Sequence, residues 1–328
     1  MKFLVVGAGS IGQRHLRNIQ SLKGHDITVV DSNPEALRNT VKQYSVRSAP
    51  SLTEALRERP EAAIIATPPA FHMDSALQAA QAGCHLFIEK PLSDSLDRLE
   101  ELAHVINEKS LISLVGCNMR FHHGPTTLKK LLNKNAVGSV ISIAMDAGHY
   151  MPDWHPNVDY RKRYSAQKKL GGGVLLDGIH ELDCARWLFG DVSEVFCSGG
   201  HLSHLEIDVE DTVNMLLMFP NGVSATLHLD YLQRPYARSC KIIGEEGTLL
   251  WDITSGVRWY SIQKKIWETN TPPMEYDLNQ MYVDELNHWI SCIKKRQKTS
   301  CDVREGIQVM KLAMAAKRSM EIGQKVSL

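Results

Sequence analysis

Three glycines near the start of the chain stand at a spacing that suits the phosphates of a dinucleotide. The run Gly7-Ala8-Gly9-Ser10-Ile11-Gly12 follows a short apolar stretch and precedes helix-forming residues. The first glycine allows a tight turn, the second lets backbone approach a pyrophosphate, and the third lets a helix pack closely on a strand. The N-terminus of that helix attracts phosphate. Gly7, Gly9, Ser10, Ile11 and Gly12 are therefore predicted cofactor contacts, although methyl-donor-binding folds have similar loops.

An acidic residue at the end of the next strand narrows the choice of cofactor. Asp31 lies 24 residues after the first of these glycines. A carboxylate there accepts hydrogen bonds from ribose hydroxyls and repels a 2′-phosphate, which favours NAD over NADP. The alternative is that Asp31 caps a helix beginning after Asn33. Arg14 and His15, within the first helix, could approach the phosphates or could be solvated polar residues.

Two short motifs that contain proline end the following predicted strands. Thr67-Pro68-Pro69, with His72 nearby, ends the third strand, and Glu89-Lys90-Pro91 ends the fourth. In doubly wound sheets, ligands bind beyond the carboxyl ends of strands, so we expect cofactor contacts from Thr67, Pro68, His72, Glu89 and Lys90. The proline keeps Lys90 extended. A lysine held there could orient a substrate hydroxyl or donate a proton, and the alternative is an ordinary solvated charge.

A glycine-rich run later in the chain leads into a helix that carries an acid and a base. In the run from Gly171 to Asp183, at about 100° per residue, Leu175, Ile179 and Leu182 form one apolar stripe. Asp177 and His180 lie on the opposite side, where residues three apart can meet. A histidine beside a carboxylate suits general acid/base catalysis, and a solvent-facing polar helix is the alternative. No metal site is expected, because no nearby histidine supplies matching ligand geometry.

An irregular segment at residues 150–169 precedes this run and carries aromatic and basic residues. Long loops in compact domains are often functional lids, and the alternative is a surface excursion. Aromatic and polar groups together suit the faces and hydroxyl edges of a sugar, and a guanidinium there could pair with a carboxylate or phosphate, so we expect an anionic substrate. The predicted substrate contacts are Trp154, Tyr160, Arg161 and Tyr164, with His155 in the same cluster.

The elements that must position these residues change in character near residue 120. Before it, short β-rich runs alternate with helical stretches, which predicts βαβ units and a parallel, doubly wound sheet. The predicted strands are residues 3–6, 27–30, 62–66, 85–88 and 111–115. The predicted helices are 11–21, 34–43, 51–57, 71–82 and 93–109, the last capped by Ser93 or Asp94. Residues 1–120 are therefore a predicted dinucleotide-binding domain.

Residues 121–328 have longer alternating strands and form the predicted second domain. The predicted strands are residues 140–149, 194–201, 212–219, 223–230, 239–243 and 247–252, and the predicted helices are 174–189, 282–294 and 304–322. Pro220-Asn221-Gly222 reads as a hairpin turn between two of the strands. Connected hairpins indicate a largely antiparallel sheet. The fold class is thus α/β.

Composition excludes several classes of protein. The 328 residues include 37 Lys plus Arg and 37 Asp plus Glu, so no net charge recruits nucleic acid or an anionic membrane. Apolar runs are far shorter than the roughly 20 residues of a membrane-spanning helix. The 7 cysteines are too widely spaced for a disulfide framework or a compact zinc motif. We expect a cytoplasmic protein with a small-molecule partner.

Taken in order, these motifs resemble those of the Gfo/Idh/MocA family of NAD(P)-dependent oxidoreductases. The resemblance covers nearly the whole chain and includes Asn118-Met119-Arg120-Phe121. It implies an N-terminal Rossmann domain and a C-terminal α/β domain whose open sheet binds sugar or polyol and builds dimers or tetramers. The family's lysine falls on Lys90, its histidine on His180 and its acid most nearly on Asp177, although the family commonly has one more residue between acid and histidine.

The resemblance also implies roles and an activity. Asn118 falls at a cofactor position and Arg120 at a substrate position. The leading hypothesis is hydride transfer between NAD(H) and a ring secondary alcohol or ketone of a sugar, nucleotide sugar or polyol. His180 would take the proton, Asp177 would orient the imidazole, and Lys90 would position the oxygen. The alternatives are an inositol dehydrogenase and a non-catalytic NAD-binding regulator with the same fold.

Overall fold

The computed structural model describes residues 1–154, 157–271 and 276–328. It divides into two compact units: residues 1–117 with 282–310 make the first unit, and residues 118–281 with 311–328 make the second. The predicted boundary at residue 120 is close to the first division. The prediction kept residues 121–328 together, whereas residues 282–310 cluster with the first unit.

The first unit contains the predicted parallel sheet. Its strands are β1 (Lys2–Val6), β2 (Asp26–Val30), β3 (Arg47–Ser48), β4 (Ala62–Ile65), β5 (His85–Ile88) and β6 (Ser113–Val115). They lie in the order β3-β2-β1-β4-β5-β6, and every pair is parallel. β1, β2, β4 and β5 are almost wholly buried, which explains their continuous apolar sequences. The exposed two-residue strand β3 carries no such signal.

The helices of the first unit follow the strands in alternation. They are α1 (Ser10–Ser21), α2 (Pro34–Tyr44), α3 (Leu52–Arg57), α4 (His72–Gln81) and α5 (Leu99–Glu108). The prediction was wrong for the start of α5, which begins six residues later than expected. The hydroxyls of Ser93 and Ser95 accept the N–H groups of Ser95 and Asp97, so side chains hold this stretch in turns that compete with a helix.

A helix from the C-terminal part of the chain completes the core of the first unit. The two long helices are α9 (Gln280–Lys295) and α10 (Val303–Ile322). Leu286 and Trp289 of α9 are fully buried in the hydrophobic core that includes Phe3 and Phe87. The Trp289 ring lies 5.6 Å from that of Phe87 and 6.1 Å from that of Phe3, between ring centroids. These contacts explain why residues 282–310 belong to the first unit.

The second unit is built on a nine-stranded sheet. Its strands are β7 (Val140–Gly148), β8 (Glu194–Gly200), β9 (Thr212–Met218), β10 (Ser224–Asp230), β11 (Ala237–Gly244), β12 (Gly247–Asp252), β13 (Gly256–Ser261), β14 (Ile266–Asn270) and β15 (Val326–Ser327). Their order is β14-β13-β12-β11-β7-β10-β9-β8-β15. β7 and β10 are parallel and the other pairs are antiparallel, which confirms the predicted largely antiparallel sheet.

The helices of this unit depart from the prediction at one important place. They are α6 (His123–Asn133), α7 (Val174–Asp177) and α8 (Ile179–Phe189). The sequence predicts one helix over 174–189, but Gly178, with φ −82° and ψ 20°, divides it. A Cβ at Gly178 would lie 2.8 Å from the Val174 carbonyl oxygen. The irregular segment before α7 forms short 3₁₀ turns at Met151–Asp153, Tyr160–Lys162, Tyr164–Ala166 and Lys168–Leu170.

Helix length and composition also bear on membrane association. Across the three described stretches of the chain, no helix combines the length and the apolar character that membrane crossing requires.

Candidate active site

The glycine loop between β1 and α1 leaves open space at the start of the helix. Gly7 has φ +105°, and a Cβ on it would lie 2.6 Å from the Ala66 carbonyl oxygen. A Cβ on Gly12 would lie 2.0 Å from the Gly7 carbonyl oxygen, so both positions exclude a side chain. A Cβ on Gly9, by contrast, would meet no described atom within 4 Å. Gly9 precedes α1 without a side-chain cap, so N–H groups at this helix end remain available to a pyrophosphate.

Asp31 is bonded to the same loop. Its Oδ2 accepts the N–H of Ala8 at 2.6 Å, and its Oδ1 accepts the N–H of Asn33 at 2.7 Å. Asn33, rather than Asp31, caps α2, because its Oδ1 accepts the N–H groups of Glu35 and Ala36. The alternative role of Asp31 as the helix cap is therefore wrong. A carboxylate has about four acceptor sites, so Asp31 keeps capacity for ribose hydroxyls.

The segment after β4 is held by a buried histidine. His72 lies with Nε2 2.8 Å from the Thr67 carbonyl oxygen and Nδ1 2.9 Å from that of Pro91. Burial lowers the pKa of His72 below its ordinary value. The imidazole therefore lies between the Thr67-Pro68 turn and the residue after Lys90, and as a neutral ring it donates to one of the two carbonyl oxygens. Thr67 Oγ1 is buried and has no hydrogen-bond partner among the described residues, which suits it to receive a ligand.

The Glu89-Lys90 motif at the end of β5 is also anchored from α1. Glu89 is buried, its Oε1 lies 2.6 Å from Nε2 of His15, and its Oε2 accepts the Lys90 N–H at 3.2 Å. His15 therefore neither contacts phosphate nor faces solvent, the two roles that the sequence left open, because it is buried against Glu89. The Arg14 guanidinium stacks instead on the ring of Tyr282, 4.3 Å from its centroid.

The predicted acid and base of the second unit lie on either side of the helix break. Asp177 ends α7, and His180 lies in the first turn of α8. Contrary to the prediction from the sequence, Asp177 and His180 therefore do not share one face of a single helix. The hydroxyl of Tyr164 donates to Asp177 Oδ1 at 2.5 Å. His180 is 7% exposed, so the alternative of a solvent-facing polar helix is wrong for this residue.

Two ion pairs, each with a buried carboxylate, hold α8 in place. Arg120 donates to both carboxylate oxygens of Asp183, at 2.9 and 2.6 Å. Arg238 Nε lies 2.8 Å from Glu181 Oε1. A buried carboxylate and guanidinium require each other, because either alone would be a costly desolvated charge. Arg120, a predicted substrate contact, is thus 5% exposed and engaged with α8.

The predicted lid residues occupy different environments. Trp154 is half-buried and donates from Nε1 to the His149 carbonyl oxygen at 3.0 Å. The Tyr160 hydroxyl accepts the Glu206 N–H at 3.2 Å. Arg161 is exposed and paired with the carboxylates of Asp159 and Glu206, at 2.8 and 2.7 Å, so its charge is already balanced. His155 lies outside the described residues.

Several residues around this site carry no signal in the sequence. The Glu210 carboxylate accepts the Leu175 N–H at 3.3 Å and occupies the space beside Gly173, where a Cβ would lie 2.3 Å from Oε1. The phenol of Tyr231 is fully buried, and its pKa is raised by burial and by the charge of Asp177. Asn118, in contrast, is a cofactor position implied by the family resemblance; it is buried, and its Oδ1 has no hydrogen-bond partner in the described part of the chain.

Comparisons with known proteins agree with this geometry. Residues 1–117 match the family model described as "Oxidoreductase family, NAD-binding Rossmann fold", and residues 126–250 match "GFO/IDH/MocA C-terminal domain". A 2,7-anhydro-N-acetylneuraminate hydratase of Mediterraneibacter gnavus is 30% identical over 66% of this chain and 57% of its own length. The Myo-inositol 2-dehydrogenase of Thermotoga maritima is 26% identical over 100% of this chain and 98% of its own. A levoglucosan dehydrogenase solved in complex with NADH shares the fold, with a TM-score of 0.90, 19% identity and coverage of 100% and 98%.

Proposed function

The chain belongs to the Gfo/Idh/MocA family of oxidoreductases, and from this premise we propose that it transfers a hydride between NAD(H) and a ring secondary alcohol or ketone of a sugar, nucleotide sugar or polyol. The observation that carries the proposal is the open, uncapped helix end at Gly9, with the Asp31 carboxylate bonded to the same loop. Relatives named as an inositol dehydrogenase and a levoglucosan dehydrogenase support the substrate class.

The cofactor would be held by residues of the glycine loop and of the strand ends. The proposed contacts are Gly7, Gly9, Ser10, Ile11, Gly12, Asp31, Thr67, Pro68, Glu89, Lys90 and Asn118. The oxygens of Thr67 and Asn118 that have no hydrogen-bond partner among the described residues support the fit. We include His72 as the residue that positions Thr67. NAD supplies the hydride acceptor when it is bound, so that an alcohol becomes a ketone and releases one proton.

The protein's own residues would move that proton and hold the oxygen. His180 takes the proton of the hydroxyl as a general base. Asp177 orients the imidazole and stabilises its charged form, and the hydrogen bond from Tyr164 holds this carboxylate in place. Lys90 positions the substrate oxygen with its ammonium group. In the reducing direction His180 returns the proton.

The substrate would contact the segment before α7. We assign sugar contacts to Trp154, Tyr160 and Tyr164, because aromatic side chains suit the apolar faces of a sugar ring. Arg161 would bind an anionic substrate only by exchanging its present carboxylate partners, and Arg120 would act through the buried pair with Asp183. This arrangement favours a neutral polyol over an anionic sugar at this segment.

We also propose that the protein is a cytoplasmic homodimer or homotetramer. The exposed face of the nine-stranded sheet carries large apolar side chains, and Phe196 and Leu216, directly paired across β8 and β9, are each 40% exposed. Apolar residues paired on an open face favour association with another sheet.

The experiment is incubation with NAD⁺ and matched panels of free sugars, inositols and nucleotide sugars. We expect NADH formation with one panel, together with a product lighter by one H₂. Turnover confined to inositols supports the inositol dehydrogenase alternative. Tight NADH binding without turnover of any panel supports the regulator, and consumption of a sugar with no NADH formed contradicts net dehydrogenation.

A further inference from the structure

A fully buried histidine in the glycine-loop helix contacts the carboxylate beside Lys90. The His15 side chain is 0% exposed, and its Nε2 lies 2.6 Å from Glu89 Oε1. Its ring packs against Phe87 with centroids 4.8 Å apart. Because a carboxylate accepts hydrogen bonds, Nε2 carries the donated proton. His15 Nδ1 has no hydrogen-bond partner among residues 1–154, 157–271 and 276–328, so Glu89 is the polar group that fixes the imidazole.

The Glu89 carboxylate is confined on its other sides as well. Its second oxygen accepts the backbone N–H of Lys90 at 3.2 Å. A Cβ on Gly116 would lie 3.1 Å from that oxygen and 3.2 Å from Cδ. A larger residue at position 116 would therefore press on the carboxylate. The glycine after β6, the histidine in α1 and the peptide of Lys90 together define one position for this side chain.

The contact between His15 and Glu89 connects α1 to the end of β5, two parts of the first unit with different proposed functions. α1 begins at the loop proposed to hold the pyrophosphate, and the end of β5 carries Lys90. A buried carboxylate is stable only when donors compensate for its lost hydration. If His15 served only to pack against Phe87, it would not need to donate a hydrogen bond to Glu89.

We infer that His15 is a positioning residue for hydride transfer, which fixes the Glu89 carboxylate and thereby the backbone and the charge environment of Lys90. The inference rests on the proposed function, in which Lys90 positions the substrate oxygen. Other charged and titratable groups also face this motif. Tyr282 interacts electrostatically with Arg14, Glu89, Lys90 and Glu285, and His72 interacts with Glu89.

The test compares two substitutions in the full-length protein with a matched control. His15→Leu fills much of the same volume without a donor, His15→Gln keeps an N–H donor, and His104→Leu changes a histidine whose side chain is 77% exposed. We expect His15→Leu to lower kcat at least about tenfold, with NADH Kd and sugar KM within about threefold. His15→Gln should recover most of the turnover, and His104→Leu should match the wild type. Thermal unfolding confirms that each variant is folded.

A second readout does not depend on turnover. Acetic anhydride labels neutral amines, and mass spectrometry gives the labelled fraction of Lys90 as a function of pH. Without the donor from His15, the carboxylate beside Lys90 loses one of the groups that hold it in place. We then expect the pH profile of Lys90 labelling in His15→Leu to differ from that of the wild type, and His15→Gln to restore the profile.

The outcomes separate this inference from the proposed function. If His15→Leu leaves kcat and Lys90 labelling unchanged, the positioning role is overturned. If His15→Leu and His15→Gln lower kcat equally, the role is also overturned, because His15 then serves packing alone. If the wild type oxidises no sugar but the two variants still differ in Lys90 labelling, the proposed function fails, and only the role of His15 in fixing Glu89 beside Lys90 stands.

Discussion

At the scale of single residues, Asp31 links cofactor choice to the glycine loop. Its carboxylate accepts the Ala8 N–H, and neither Ser32 nor Asn33 supplies a cation for a 2′-phosphate. We predict that the wild type binds NADH more tightly than NADPH and that Asp31→Ala narrows the difference. Calorimetric titration of both cofactors measures this, with the exposed Asp26→Ala as the control. Equal or tighter binding of NADPH by the wild type would contradict the assignment.

A second residue makes stability depend on pH. His122 accepts the Gly124 N–H, and burial, with smaller effects from Arg238 and His123, lowers its pKa from 6.5 to about 4. Below pH 6.5 the unfolded chain binds a proton that the folded chain does not, so this residue lowers stability as the pH falls from 6.5 to about 4. Asparagine also caps helices but does not titrate. The Tm of His122→Asn should therefore fall less than that of the wild type over this pH range.

The control for this prediction is an exposed histidine. The Tm of His104→Asn should fall with decreasing pH as much as that of the wild type, since the His104 side chain is 77% exposed. Identical slopes for His122→Asn and the wild type would show that His122 does not contribute to acid destabilisation.

At the scale of elements, the sequence predicts those strands and loops that a local pattern of residues determines. The apolar runs of β1, β2, β4 and β5 and the glycine loop predict the parallel sheet and the place of a dinucleotide. The break at Gly178 was missed because the aliphatic stripe continues through it. The nearby Val174 carbonyl oxygen explains why this position has no side chain. The contact between His15 and Glu89 was missed because it joins residues 74 apart in the sequence.

The placement of α9 could not be predicted for a similar reason, and it gives a stability prediction. Amphipathic periodicity shows that a helix has a buried face but not which core receives it. Trp289 is fully buried in the first unit, so Trp289→Ala should lower the free energy of unfolding by about 3–5 kcal/mol. Denaturant unfolding followed by circular dichroism measures this. Trp267→Ala, at a ring 48% exposed, is the control, and equal effects of the two substitutions would contradict the placement.

At the scale of the whole molecule, the open sheet face predicts self-association. Leu216 lies opposite Phe196 on that face, and a buried charge there would carry a large desolvation cost. We expect light scattering to give the wild type a mass of two or four chains, and Leu216→Glu to give a lower mass. Leu202→Glu, at a side chain 68% exposed outside the strands, should leave the mass unchanged. A wild type that stays a single chain would contradict the proposed oligomer.

The central claim is that this chain oxidises an alcohol with acid/base groups distinct from those that hold the cofactor. The most direct test is kcat for His180→Ala and Lys90→Met on the identified substrate, with NADH Kd measured in parallel on folded protein. We predict a Kd within a few fold of the wild type and a kcat lower by roughly 10²–10⁴. The double variant should lose less than the product of the two effects, because both groups serve one proton transfer. Near-wild-type turnover by His180→Ala would contradict the claim and make this buried histidine structural.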